Sequence, residues 1–458
     1  MINRFLKNHL IRNNLLNSIH RIPDKFSSPQ IIGRFYFSSI SNPPIDASSN
    51  GTHNINSKTV NQSNKTDNSN SNQPFINRFL DKLKKKSFII DQYIKFNFRN
   101  YKTLQETMDD IKLLDPLNNL TQVTQKDLFK SVESDLNRVT KNIISSLTIK
   151  SGRESNLFSF MAEEKTHPAL STLSSYYFGL KGKRIRPTLV ILLAKAIEGK
   201  SQIQDRYITL AEVVEMIHTA SLVHDDVIDE ASTRRDVLSI NHSFNNKLAI
   251  LCGDYLLSRS CILLSSLRNH EVTESMSNSI SELVEGEFIQ ARSKGQASFD
   301  NYLRKSYLKT ASLLTNSCRS TALLSSCDST VVDIATEFGK NIGLAFQIID
   351  DLLDYTSSDE VAGKPTSVDL QLGLATAPVL YATQEYPQLE NLITRKFSEP
   401  GDVEEAKNLV LKSKGIEKTR NLAIKYCNLA IENLLQLPQS ESRDLLISIS
   451  QTVVLRNK

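Results

Sequence analysis

Two aspartate clusters of one form, Asp225-Asp226-Val227-Ile228-Asp229 and Asp350-Asp351-Leu352-Leu353-Asp354, stand 125 residues apart in apolar, helix-compatible stretches. Residues four apart share a helix face, so Asp225 projects with Asp229 and Asp350 with Asp354. Carboxylates crowded in this way repel one another and resist burial. A chain that sets both clusters on apolar helices must neutralise them where it folds. Hard divalent cations do so with oxygen ligands, and magnesium typically takes one or two carboxylates together with substrate phosphates. The pattern predicts a cavity in which metal ions bridge protein to a diphosphate.

Helical periodicity dominates from about Thr124 onward. Apolar-patterned stretches at 208–228, 248–267, 279–291, 303–325 and 330–355 are separated by short polar breaks, and no alternating strand pattern competes with them. Gly is scarce at 15 residues, while Leu, Ile, Ala and Lys are plentiful. The expected fold is all-α, a multi-helix bundle around a deep central cavity. No run approaches the roughly 20 apolar residues of a membrane span.

The formal net charge of +5 belongs to the start of the chain. Residues 1–74 hold eight Lys or Arg against three Asp, and the remainder carries 47 of each sign. The body therefore has no basic excess for nucleic acid to read. Residues 1–40 are basic and nearly free of acids, with Arg34 just before Phe35-Tyr36-Phe37-Ser38-Ser39, the composition of a mitochondrial presequence. Residues 41–74 hold nine Asn and seven Ser and read as a disordered linker. Residues 75–125 form a basic amphipathic extension, with Phe75, Phe79, Leu83 and Ile90 set among Arg78, Lys82, Lys84, Lys85 and Lys86. Such a stretch can lie on an anionic membrane surface. Five cysteines without a CxxC pair predict neither a disulfide framework nor a zinc site, only small buried hydrophobes.

The ordered set of motifs resembles the trans-isoprenyl (polyprenyl) diphosphate synthase family over residues 126–458. The matching pieces are Gly182-Lys183-Arg184-Ile185-Arg186-Pro187, His218, the first aspartate cluster with Arg234-Arg235, Gly253-Asp254-Tyr255 and Lys309-Thr310. They continue with Phe346-Gln347 and the second cluster, Gly363-Lys364-Pro365, Asp369-Leu370 and Gly373-Leu374-Ala375-Thr376-Ala377-Pro378. Residues 150–166 look like an insertion relative to that family.

The resemblance implies an isoprenoid-synthase fold and a condensation of isopentenyl diphosphate with an allylic diphosphate primer. It implies magnesium held by Asp225, Asp229 and Asp350, with Asp226, Asp351 and Asp354 as additional acceptors. Arg234, Lys309, Thr310 and Gln347 would serve the allylic diphosphate, Arg through its planar fork. Lys183, Arg186, Arg235 and His218 would hold isopentenyl diphosphate. The Lys309 or Thr310 carbonyl and the Gln347 side chain are candidates to stabilise the allylic cation by dipole. Pyrophosphate itself can take the final proton, so no protein base is required. The family further implies a homodimer or a hetero-oligomer with a related subunit.

Product length is expected to depend on the residues just before the first cluster. Ala220 and Ser221 are small, and Met216 and Ile217 stand one turn, about 5.4 Å, further down. An aromatic floor is missing there, which suits a long prenyl chain, and Ala220→Phe is expected to shorten it. Leu374 stands where short-chain members carry Lys, and 363–380 resembles mitochondrial solanesyl and decaprenyl synthases. The rivals are a short-chain synthase, a terpene cyclase and a non-catalytic partner subunit. Ala220 and Ser221 argue against the first, the second aspartate cluster against the second, and the complete motif set against the third.

Overall fold

The computed structural model describes residues 112–115, 130–148, 167–180, 182, 184–235, 237–292, 298–356 and 367–456. The expected presequence, linker, nearly all of the N-terminal extension, the 150–166 insertion, Lys183 and Gly363-Lys364-Pro365 lie outside them.

The described chain is an all-α bundle, as the periodicity predicts. Its helices are α1 (Glu133–Thr148), α2 (Pro168–Ser175), α3 (Ile185–Glu198), α4 (Asp205–Ile228), α5 (Ile240–Ser243), α6 (Asn246–Ser266), α7 (His270–Arg292) and α8 (Phe299–Ser306). A π turn (Tyr307–Ala311) follows, and then α9 (Ser312–Leu324), α10 (Ser329–Thr356), α11 (Val368–Gln371) and α12 (Ala377–Ala382). The chain closes with α13 (Leu389–Thr394), α14 (Asp402–Lys412), α15 (Gly415–Leu435) and α16 (Glu441–Leu455). A ribbon of two short antiparallel strands, β1 (Thr233–Arg234) and β2 (Val237–Leu238), pairs Thr233 with Leu238 and Arg234 with Val237.

Two helices form the centre. Helix α4 is buried on nearly all sides, packing on α1, α3, α6 and α9. Helix α10 packs on α9, the π turn, α15 and α16. A helix apolar around most of its circumference has to be a core helix. Each carries its aspartate cluster in its last turns, at the negative end of the helix dipole, where carboxylates are least welcome. Several starts are set by local chemistry. Asn245, Ser298 and Ser440 cap α6, α8 and α16 by accepting from the N–H groups of Leu248, Asn301 and Arg443.

The continuous helical stretch expected at 303–325 is divided by the π turn. Apolar spacing does not register one extra residue per turn, yet the wider turn needs room. Glycine supplies it on two sides. A Cβ at Gly286 of α7 would stand 2.9 Å from the Lys309 nitrogen, and one at Gly343 of α10 would stand 2.6 Å from the Ala311 Cα. The turn presents Lys309 and Thr310 together.

Helix α6 qualifies the reading of membrane spans, because by length and composition it could cross a bilayer. It packs along α4, so it serves as a bundle helix. It leaves Leu248, Ile250, Leu251 and Ile262 exposed, beside Val284 and Phe288 of α7. Of the cysteines, Cys252, Cys318 and Cys427 are buried as expected, whereas Cys261 is exposed and Cys327 is half-buried.

Gly343→Ala should destabilise the protein by about 1–3 kcal/mol, the usual cost of forcing a methyl into a packed contact. Urea unfolding measures it, and an unchanged midpoint would show that the π turn does not depend on this close approach.

Candidate active site

The last turn of α4 brings Asp225 to a half-buried position and Asp229, its C-terminal cap, to the surface. Asp225 is pushed up to about 7, first by burial and then by the facing Glu287, with Asp229 adding to it and Lys309 opposing. Asp226 points the other way and is 1% exposed. Arg234 donates to it through Nε at 2.8 Å and through Nη2, and the Tyr177 hydroxyl donates at 3.0 Å. Tyr177 in turn accepts from the Ile240 N–H at 3.3 Å. The second aspartate thus fastens the β-ribbon and the start of α5 to α4, and Arg234 is committed to that clamp.

From the opposite wall, Asp351 is 5% exposed and accepts from Tyr302 Oη at 2.6 Å and Gln347 Nε2 at 2.7 Å. Gln347 Oε1 accepts from the Thr310 hydroxyl at 2.5 Å, which joins the π turn to α10. Asp354 accepts from the N–H groups of Val368 and Asp369 at 3.1 Å each, capping the start of α11. Asp351 and Asp369 are both raised by burial. Asp350 pairs with Arg456 at 2.5 Å, and that guanidinium also donates to the Phe346 carbonyl and lies 4.2 Å over its ring.

Among the expected isopentenyl diphosphate ligands, Arg186 Nη1 lies 3.0 Å from His218 Nε2. Burial and the surrounding Arg186, Arg235 and Arg234 push His218 well below its ordinary value. The ring is therefore neutral, and since guanidinium can only donate, Nε2 accepts and Nδ1 carries the proton. Glu215, one turn before His218 and 8% exposed, lies within the field of Arg186, Arg235 and Arg184. Gly182 leaves space for Arg235, whose Nη1 would be 3.1 Å from a Cβ there.

Two cavities meet at Lys309. A polar one of about 170 Å³ is lined by Asp229, Lys305, Lys309, Gln347, Asp351 and Asp369 among others. A largely apolar one of about 350 Å³ lies between α4, α6 and α7, with Asp225, Glu287 and Lys309 in its wall. Ile217, Ser221, Val227, Ile280 and Leu283 line the apolar part. Lys309 pairs with Glu287 at 2.6 Å. Of the four residues expected to govern product length, Ser221 and Ile217 line this cavity. Ala220 and Met216 are 0% exposed in the main core and are not part of its lining. His224 lies in the cavity wall with Nε2 3.2 Å from the Ile250 carbonyl. A Cβ at Gly253 would come 2.2 Å from that same nitrogen, so only glycine fits beside the ring.

The arrangement suits an anion with a long apolar tail. Among the described residues no three metal-ligating side chains converge into a ready-made cage. The aspartates offer carboxylate oxygens, the donor type that magnesium takes together with phosphate and water. Glu287, Tyr302, Lys305 and Arg456 were not singled out from sequence. None belongs to a recurring cluster, and only the tertiary packing brings them here.

A family model described as polyprenyl synthetase matches residues 167–410, more than half of the chain. The chain belongs to this family. It is accordingly a prenyltransferase. A decaprenyl-diphosphate synthase of Dictyostelium discoideum is 62% identical over 397 residues, covering 84% of this chain and 86% of that protein. A probable mitochondrial hexaprenyl pyrophosphate synthase of Yarrowia lipolytica is 40% identical, covering 64% and 80%. Decaprenyl-diphosphate synthase subunit 1 of Schizosaccharomyces pombe is 41% identical, covering 63% and 85%. Among solved structures, a decaprenyl diphosphate synthase from Rhodobacter capsulatus superposes with TM-score 0.63 at 30% identity, covering 73% and 99%. A polyprenyl synthase from Caulobacter crescentus complexed with calcium and isoprenyl diphosphate gives TM-score 0.63 at 27% identity, covering 73% and 98%.

Two predictions follow from the clamp and from Asp225. Arg234→Ala in this polyprenyl synthetase strands a buried carboxylate and should cost about 3–5 kcal/mol in denaturant unfolding. Asp225 has a folded value near 7, above its unfolded 3.8. Its contribution to stability is therefore full below about pH 4 and lost as pH rises through about 7. In metal-free protein, Asp225→Asn should raise the melting temperature at pH 8 and leave it unchanged at pH 4.

Proposed function

We propose that this chain is a long-chain all-trans-polyprenyl diphosphate synthase, condensing isopentenyl diphosphate onto an allylic diphosphate for the ubiquinone side chain. One observation carries the reading: Lys309 lines both a polar cavity between the two aspartate clusters and an apolar cavity between α4, α6 and α7. The names of the relatives, from hexaprenyl to decaprenyl synthases, support long products.

Asp225, Asp229 and Asp350 would hold magnesium, which supplies charge neutralisation for a departing diphosphate. Asp226, Asp351 and Asp354 support these ligands through the clamp, the Tyr302–Gln347 pair and the α11 cap. Lys309 faces the diphosphate from the junction of the cavities, and Arg234 borders it from the clamp. Arg186, Arg235 and Lys183 serve the second diphosphate, which is not ionised and needs cationic side chains only. Neutral His218 fixes the Arg186 fork, and fixed donors cost no reorganisation during reaction. The Lys309 or Thr310 carbonyl and the Gln347 side-chain oxygen, which already accepts from the Thr310 hydroxyl, would stabilise the developing cation by dipole. The apolar lining keeps water from that cation.

The basic, acid-poor residues 1–40 and the relatives named as mitochondrial support a mitochondrial location. The basic amphipathic segment 75–104 is read as a contact with an anionic membrane surface. The exposed apolar residues of α6 and α7 are read as the seat of a second prenyl synthase chain, since the two helices follow one another and each leaves large apolar side chains exposed.

Full-length protein incubated with farnesyl diphosphate, labelled isopentenyl diphosphate and magnesium should give dephosphorylated products well beyond four isoprene units. Products ending at three or four units would support the short-chain rival, and no product from this chain alone would support the partner-subunit reading. Ser221→Phe should shorten the product distribution. Ala220→Phe instead enters the core and should lower stability by about 1–3 kcal/mol.

A further inference from the structure

The cations around the aspartate clusters are mostly already engaged. Arg234 is bound to Asp226, Lys309 to Glu287, Arg456 to Asp350 and Arg304 to Glu285. Lys305, in the last turn of α8, differs from them. It lines the polar cavity together with Asp229, Lys309, Asp351 and Asp369, yet closes an ion pair with no carboxylate among the described residues. It is half-buried, so its ammonium has given up part of its water without gaining a fixed partner. The charges facing it are Asp351 and Asp369, both raised by burial and both eased by Lys305. Tyr302, Gln347 and the α11 cap already occupy Asp351 and Asp354, so Lys305 is not needed to hold those acids in place.

Lys305 and Lys309 are four residues apart across the start of the π turn and line the same cavity. Two ammonium groups on one wall, facing carboxylates on the other across open space, form a seat for a polyanion. The carboxylates meet it through bound cations, and the ammonium groups meet it directly. Leu372 and Leu374 form the nearby wall and offer no competing charge.

We infer that Lys305 is a diphosphate-binding residue, taking the diphosphate of the allylic substrate alongside Lys309 and retaining it as pyrophosphate after the bond to carbon breaks. This rests on the function proposed above. Lys305→Met should raise KM for the allylic diphosphate about 10–100-fold, the worth of a hydrogen bond to a charged group. KM for isopentenyl diphosphate should stay as in wild type, and Lys305→Arg should recover most of the loss. Inhibition by added pyrophosphate should weaken in parallel with the allylic KM.

Calorimetric titration of full-length protein with pyrophosphate and magnesium gives a readout independent of turnover. Weaker binding by Lys305→Met, with an unchanged melting temperature, is the expected result. Two results overturn the inference: wild-type pyrophosphate affinity in Lys305→Met, or an equal rise in both KM values together with a lowered melting temperature. The latter would mean that Lys305 only balances the charge of Asp351 and Asp369. If the wild type forms no prenyl product but binds pyrophosphate through Lys305, the proposed function fails and the binding role stands.

Discussion

The rest of the site is organised around carboxylates held too close together at the negative ends of two core helices. Nearly every acid there has been given its own partner. Asp226 has Arg234 and Tyr177, Asp351 has Tyr302 and Gln347, Asp354 has the amides that open α11, Glu287 has Lys309, and Asp350 has Arg456. Asp225 is raised first by burial and then by Glu287 and Asp229, with Lys309 and Arg234 opposing. On the proposed function, a cation arriving with its own phosphate oxygens would relieve that crowding between Asp225, Asp229 and the opposite wall.

The aspartates were legible in the sequence because their geometry is local: four residues apart on a helix means one face, whatever the helix packs against. What each carboxylate does was less legible. Asp225 and Asp226 are neighbours, and a turn of 100° per residue sends one to the cavity and the other into a clamp with a residue of the β-ribbon. The same step separates Ser221 from Ala220 and Ile217 from Met216. Small or apolar residues suit core and cavity equally, so sequence cannot tell the two faces apart.

The fold class followed from periodicity, which also placed α4, α6 and α10 to within a few residues and ran the end of α8, the π turn and α9 together as one stretch. Helix α7 begins well before its predicted start, because its first turns carry only a narrow apolar stripe at Val272 and Met276. The π turn was invisible for a different reason. Its signature is not in its own residues but in Gly286 and Gly343, which approach it from helices distant in sequence. Arg186 and His218 were recognised by motif. Burial first, and then their contact across 32 residues, explain the neutral imidazole.

Arg456 brings the end of the chain into the same electrostatic balance. It has no motif around it, but its guanidinium occupies one Asp350 oxygen while resting on the ring and carbonyl of Phe346. A metal ion drawing on that oxygen competes directly with the guanidinium for it. Displaced, the cation would keep its hold on Phe346, one residue before Gln347, and so remain beside the site with its charge uncommitted. On the proposed function, magnesium at Asp350 and a diphosphate at Arg456 would be two sides of one exchange. Each phosphate oxygen that accepted from Arg456 would lower the cost of giving Asp350 to a metal.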